Sequence, residues 1–434
     1  MELLGKGASS TFLSATLSAI SIETFILGIL AIIVIIAILS IFGLMVSMSS
    51  KNPIMSPENV AVIQGQRMEI IKADTQLTGD KSLYNDLIKN LATGERYLVN
   101  LCPLTASLGG YIGAGESGVF YSDFYLQNAL RAGIRSFILP ISTYADDNKI
   151  PPNWPKSLDP AIVARDVNGK IISLNGLSVK QFCTDVMRFN SVNPTQSSEP
   201  ILLFLMAETN YLPNKVKGEK DYAKLLSILA QELDVIPLAS RLTTLGGYGS
   251  AVGSQNEANI LTQIPLTELQ NKFIIFTDFD TKIGLKKAYS RFGPTLDMYT
   301  NFTMKPVIAQ NAGLSVGSGA RSIKLADISG SQVNWTDQAR TVIHGTIDYN
   351  LTIPDVGLVE GAIKKGIQIV PIPFYTSPAI ADIKPIWDLW KGYAWKLKEP
   401  DARYLKPDPV VPAKPSTAMN ARVDQKLQPG QMGV

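Results

Sequence analysis

Chemistry needs side chains that titrate, ligate or attack, and this chain holds few of them in a suggestive spacing. There is one histidine, His344, inside the apolar run RTVIHGTIDYN. No mechanism that uses two imidazoles in one site can operate here, because each proton-transfer role needs its own group. A lone histidine in such a run reads first as a hydrogen-bonded structural residue and second as a single acid–base group. Asp278 and Asp280 close the run FIIFTDFD. Two residues apart on a strand, their side chains point the same way, which suits a metal, proton transfer or a solvated loop. Cys102 and Cys183 are the only cysteines, too few for a disulfide framework or a structural zinc site. Gly113-Ala-Gly115-Glu-Ser-Gly118 has the spacing of a dinucleotide cradle. That cradle needs its first glycine at a strand end, and the preceding apolar run stops near Leu104, about nine residues too early. Asp146 stands near the place of a ribose-binding acid but follows a Thr-Tyr-Ala stretch. A loop is expected there; no cofactor and no metal are expected.

These residues must be carried by some scaffold, and composition bounds it. The chain has 434 residues, 46% of them hydrophobic and 18% charged, which excludes wholesale disorder. Its 40 basic and 37 acidic residues give +3, too little for a nucleic-acid binder. No residue between Glu23 and Lys51 is charged, and 25–48 is apolar throughout. At about 1.5 Å per residue that stretch is long enough to span a bilayer. It is too long, and its upstream 1–24 too poor in basic residues, for a cleaved signal peptide. The expectation is a single-pass transmembrane helix over 25–48, a membrane localisation, and lipid as the first partner. Lys6 precedes the span while Lys51, Arg67 and Lys72 follow it, so the large domain is expected to face the cytosol. Three Asn-x-Thr sequons, at Asn301, Asn334 and Asn350, are within chance and decide nothing.

Residues 49–95 read as a stalk or lead-in with a short helix at 82–91. Beyond Arg96, strands are expected at 97–102, 134–141, 161–164, 201–207, 273–278 and 367–374. Helices are expected at 123–132, with Phe124, Leu126, Ala129 and Leu130 facing inward, and at 179–189, 222–233 and 359–365. Uninterrupted apolar strands alternating with helices argue for an α/β fold, a parallel sheet covered on both faces. The length of the run, 96–398, favours a (β/α) barrel over two small domains. The glycine-rich stretches at 246–253 and 313–319 are expected to be loops, and the proline-rich 399–434 an extended, disordered tail.

The order of these pieces resembles the phosphatidylinositol-specific phospholipase C family. The segments that carry the resemblance are CPLTASLGG from Cys102, LRAGIRSFILP from Leu130, and 178–189 followed by 200–208. KGIQIVPIPFYT from Lys365 and GYAWKLK from Gly392 complete it. The family's catalytic domain is a distorted (β/α)8 TIM barrel, which is therefore the expected fold. Its reaction uses one histidine at the phosphoryl group, a second to protonate the leaving group, and calcium or an arginine to offset charge. Carried over position by position, Ala106 stands at the first histidine, and Ile138 and Pro140 stand at two acids of the calcium-dependent members. Arg165 and Asp166 stand where the second histidine should be. Met206 stands at the last acid, with Glu208 two residues along on the same face.

A methyl group transfers no proton and an isoleucine ligates no calcium. The resemblance therefore implies a catalytically degenerate domain, and with the 25–48 span the expectation is a membrane-anchored structural or binding module. Protein partners in a membrane-associated assembly are expected, such as a viral or organellar scaffold would have, and nucleic acid is not. The alternative is an active lipid or phosphodiester hydrolase with a rebuilt site drawn from Glu208, Asp278, Asp280 and His344.

Overall fold

The computed structural model describes residues 84–113, 118–143, 159–192, 198–242, 264–310, 313–315, 319–328, 333–334, 341–346, 351–376 and 382–405. It also describes 61–65 and five residues within 27–34. Most of the expected membrane span, the cradle residues 114–117, Asp146, the 246–253 stretch and the tail beyond Leu405 lie outside these. Of the span, Leu27, Leu30, Ala31, Ile33 and Val34 are helical and exposed. Among the described residues no helix is long and apolar enough to cross a membrane.

The chain forms a mixed α/β fold on a parallel sheet. In order, the elements are α1 (Tyr84–Asn90), β1 (Leu101–Pro103), β2 (Thr105–Ala106), β3 (Tyr111–Ile112), β4 (Val119–Phe120), α2 (Ser122–Arg131), β5 (Ser136–Ser142) and β6 (Ala161–Ile162). Then come α3 (Val179–Val192), β7 (Ile201–Ala207), α4 (Glu219–Leu233), β8 (Phe273–Thr277), β9 (Phe302–Thr303) and β10 (Lys305–Pro306). The last are β11 (Gly319–Lys324), β12 (Thr341–Thr346), α5 (Val356–Lys364), α6 (Lys384–Trp387) and β13 (Trp395–Leu397). There is also a short helix at Leu325–Ile328 and a separate small sheet of Ile308–Gln310, Gly313–Ser315 and Val333–Asn334, so that the 313–319 stretch expected as a loop is strand at its start. Strands β2, β5, β7, β8 and β9 pair in parallel, in that order, while β10, β11 and β12 form a second parallel set. Isolated parallel bridges join His344 to Ile369 and Ala106 to Ile372.

Hydrogen bonding therefore does not run unbroken around the sheet, and the expected strand at 367–374 is reduced to those two bridges. The cause is local: Pro371 and Pro373 have no N–H to give a ladder. The expected strand at 97–102 is also different. Leu98–Asn100 is a 3-10 turn, and β1 pairs antiparallel with β13, outside the parallel sheet. Only the two residues of β2 take the place expected of the first parallel strand.

Both faces of the central strands are buried, as an all-apolar strand requires. On one face Phe137, Leu139, Ile141, Leu203, Leu205 and Ile275 pack with Leu126, Leu130, Phe182, Val186, Leu225 and Leu229 of the helices. On the other, Ile138, Leu202, Phe204, Ile274, Phe276, Phe302, Met304, Val342 and Ile369 form a separate core. Each such side chain contributes ~1.5–3 kcal/mol on burial. The register Phe204–Phe276–Phe302 stacks three rings, with centroids 4.5 and 4.7 Å apart. In α2 it is Tyr125, not Phe124, that is fully buried. Gly133 ends this helix at φ +91°, a conformation that costs an L side chain but not glycine.

The packed body extends past both expected limits of 96–398. Tyr84 is wholly buried and its hydroxyl donates to the Leu266 carbonyl at 2.6 Å. At the other end the Asn100 side chain bonds both the N–H and the C=O of Tyr404.

Candidate functional site

In a parallel sheet with helical crossovers, functional side chains gather at the carboxyl ends of the strands. There the register places Pro140 beside Met206, with Ile138 two residues deeper on the same face beside Phe204. Ala106 closes β2 and is buried, as are Ile138 and Pro140, while Met206 is half-buried. These four positions are thus occupied by hydrocarbon and a thioether.

The polar groups at this end begin just beyond them. Arg165 opens a small hairpin closed by a bridge to Ile171. Its Nε donates to Glu208 Oε2 at 3.3 Å, its Nη1 to the Gly169 carbonyl at 3.0 Å and its Nη2 to Ser142 Oγ at 3.4 Å. The guanidinium lies over the Tyr211 ring, 3.7 Å from its centroid. Glu208 follows β7 directly, and its N–H donates to the Ile141 carbonyl, so β5 and β7 hold the two ends of the group together. Burial pushes the Glu208 carboxyl above its ordinary value, against the opposing pull of Arg165 and of a hydrogen bond from Ser142. Asp166 is not part of this group. Its Oδ1 accepts from the N–H groups of Asn168 and Lys170 and shapes the hairpin turn.

Asp278 follows β8 and reaches the neighbouring strand, its Oδ1 accepting the Ala207 N–H at 2.6 Å. The protein packed around it desolvates the carboxylate and pushes it up to about 6, although the residue keeps an exposed face to solvent. Asp278 is therefore neither a plain loop acid nor paired with Asp280. The chain turns between them, and the Asp280 N–H donates to the Tyr222 hydroxyl instead.

His344 is brought to neither acid. Its ring lies 5.5 Å from that of Phe204, in the apolar core. Phe204 precedes Glu208 by four residues, about 13 Å along an extended strand. The expected hydrogen bonds of His344 are missing: it is buried with neither ring nitrogen paired among the described residues. Desolvation lowers it to about 4, so it is neutral. The Gly113–Gly118 segment links β3 to β4, which pair antiparallel, so it joins two hairpin strands and not a strand to a helix. The sequon residue Asn301 is structural. Its side chain accepts from the Ile275 N–H and donates to the Leu242 carbonyl. Among the described residues no group of three His, Cys, Asp or Glu side chains could hold a metal.

Sequence reasoning missed Ser142 and Tyr211, and it missed a second buried ion pair at the opposite ends of the same strands. Arg135, just before β5, meets Glu199, just before β7, with Nε 2.6 Å from Oε2. Trp395 Nε1 donates to that same oxygen at 3.0 Å, and Arg135 Nη1 donates to the carbonyls of Leu130 and Ile134.

No family model matches the chain, and no curated protein matches it. Among solved structures it is similar to L. pealei PLC21 at 14% identity and a TM-score of 0.44, over 73% of this chain and 39% of that one. It thus spans about two fifths of that protein's length. It is also similar to the calcium-dependent phosphoinositol-specific phospholipase C of Pseudomonas sp., at 14% identity and a TM-score of 0.38, over 71% and 97% of the two chains. A third similarity is to the calcium-dependent phosphatidylinositol-specific phospholipase C of Streptomyces antibioticus, at 13% identity and a TM-score of 0.39, over 67% and 98%.

Proposed function

We propose that the chain is a phospholipase-C-like (β/α)8 barrel, interrupted where prolines break its ladder. In this reading residues 25–48 hold it to a membrane, and it serves there as a structural or binding module instead of a hydrolase. One observation carries the reading: Ile138, Pro140 and Met206 share the inner face of β5 and β7, Pro140 and Met206 in their carboxyl halves, and Ala106 ends β2 in register with Phe137 on the helix-covered face, and none of the four can transfer a proton or ligate calcium. Each missing proton-transfer group is worth ~10²–10⁴ in rate. Barrel closure is supported by the two bridges of the 367–374 segment, which stand where an eighth strand would join β12 to β2.

A second reading has one observation in its favour. Glu208 and Asp278 are two desolvated acids at the ends of neighbouring strands, each held above its ordinary range. Such a pair suits acid–base work.

The deciding experiment is release of water-soluble inositol phosphate from phosphatidylinositol vesicles by the full chain, with calcium and with chelator. The expected result is no release above background. Turnover abolished by Glu208→Gln or Asp278→Asn would replace the binding reading with the hydrolase. Deleting 25–48 should move the protein out of the alkali-resistant membrane fraction; retention there would end the anchor.

A further inference from the structure

The Arg165 guanidinium is held in place more firmly than its hydrogen bonding is completed. Tyr211 covers one face of it and the Gly169 carbonyl fixes Nη1. The remaining edge, Nε with Nη2, is the one that binds a carboxylate or phosphate through two parallel bonds. Here it makes one 3.3 Å contact to a single oxygen of Glu208 and one 3.4 Å contact to Ser142 Oγ. Both are long for bonds to a charged group, which lie at about 2.7–2.9 Å when well made. The Ser142 hydroxyl is a further donor at the same point, and it offsets part of the burial that raises Glu208.

We propose that Glu208 is an internal ligand of Arg165, standing where an incoming oxyanion would sit, and that this end of the sheet is a phosphate-type anion site kept closed by its own glutamate. The inference rests on reading the site as a binding site. A tetrahedral oxyanion would take both donors of the free edge and the Ser142 hydroxyl, where Glu208 takes one donor imperfectly.

The groups that act on Glu208 are Arg165 from the hairpin and Ser142 from β5, while Asp278 is bonded to the backbone N–H of Ala207. Tyr211 contributes its ring face, and Asp166 is occupied in its turn. Both Glu208 and Asp278 are acids held above their ordinary range. Acidification therefore removes the competitor, and anion affinity should rise as pH falls.

The test is calorimetric titration of the detergent-solubilised full chain. One probe is inorganic phosphate, the other a soluble short-chain phosphatidic acid, with the matching phosphatidylcholine as control. Wild type should bind the anions more tightly at about pH 5.5 than at about pH 7.5. At the higher pH, Glu208→Gln should bind about tenfold or more tightly than wild type. The gain should vanish in the double variant with Arg165→Met. If that variant fails to unfold cooperatively, Arg165→Lys replaces it. Lysine keeps the charge but not the two-donor edge, and most of the gain should still be lost. Whichever probe gains more identifies the source, free phosphate or lipid headgroup. Unchanged affinity in Glu208→Gln, or a gain that survives loss of Arg165, overturns the proposal. Phosphatidylinositol hydrolysis by wild type would end the binding-module reading without altering these affinities, so the two failures are distinguishable.

Discussion

Strands β5 and β7 carry an arginine–glutamate pair at each end, and the two pairs are built to opposite specifications. Arg135 and Glu199, at the amino ends, are 4% and 0% exposed, 2.6 Å apart, and joined by an indole donor and two carbonyls. Arg165 and Glu208, at the carboxyl ends, are 11% and 18% exposed and 3.3 Å apart, over a single tyrosine face. The first pair is sealed by α1, β1 and β13: Tyr84 packs its ring 5.5 Å from Trp395, and both are buried. A charge pair out of reach of water cannot exchange partners, so it can serve only to fix the strands that carry it. A pair at the solvent edge, with long bonds and a desolvated acid, can. The same residue types on the same two strands thus act as a clasp at one end and a replaceable contact at the other.

The largest expected effect comes from breaking the clasp. Glu199→Gln leaves the Arg135 guanidinium buried without a counter-charge, which costs ~3–5 kcal/mol. Urea denaturation should show a matching fall in midpoint with an unchanged slope. An equal loss in Glu208→Gln would erase the distinction, because a less buried pair held by long bonds should give up less than the sealed one. Trp395→Phe keeps the ring and removes one hydrogen bond to a carboxylate, a loss of ~1.5–3 kcal/mol in the same assay.

How much of this was legible follows from what each feature depends on. The runs SFILPIS, ILLFLMA and FIIFT, apolar on both faces, can be buried only as central strands, and they are β5, β7 and β8. The helices were equally readable, because an amphipathic period is local. The 367–374 segment was not, because alternating prolines leave an apolar run intact while removing its ladder. At the site, Glu208 was visible as an acid ending a strand and Arg165 as a residue out of place. Their pairing spans 43 residues and follows from the β5–β7 register, which no local pattern encodes. The clasp was missed for the same reason. Its one signal was a charged residue just ahead of each of two wholly apolar strands, at nearly matched offsets.

The inner core between the two pairs predicts an acid limit. His344 sits beside Phe204 with its folded value near 4, below the ordinary 6.5 because burial disfavours the charged ring. A lowered histidine value means the unfolded chain binds the proton first. Stability is full above about pH 6.5 and falls as pH drops from there toward 4. The loss attributable to this group is at most ~3 kcal/mol. His344→Leu should remove that slope and, by deleting two unpaired buried nitrogens, leave the protein at least as stable at neutral pH. Thermal unfolding against pH checks both. A variant with the wild-type acid slope would show that His344 is not the group responsible.

The smallest effect sharpens the comparison at the open end. The Asp278 carboxyl is raised from 3.8 to about 6, so the folded state binds its proton more tightly than the unfolded chain does. Its contribution is fully present below about pH 3.8 and is lost as pH rises through about 6, the opposite sign to His344. Because the residue is exposed, solvent screening should hold the change below about 1 kcal/mol. Asp278→Asn keeps an oxygen for the Ala207 N–H and removes the charge. It should be neutral or slightly stabilising at pH 7 and should flatten the profile between those limits. If it destabilises instead, the ionised carboxylate is part of what holds β7 to β8. The carboxyl end would then be as fixed as the amino end, and the contrast between the two pairs would fail.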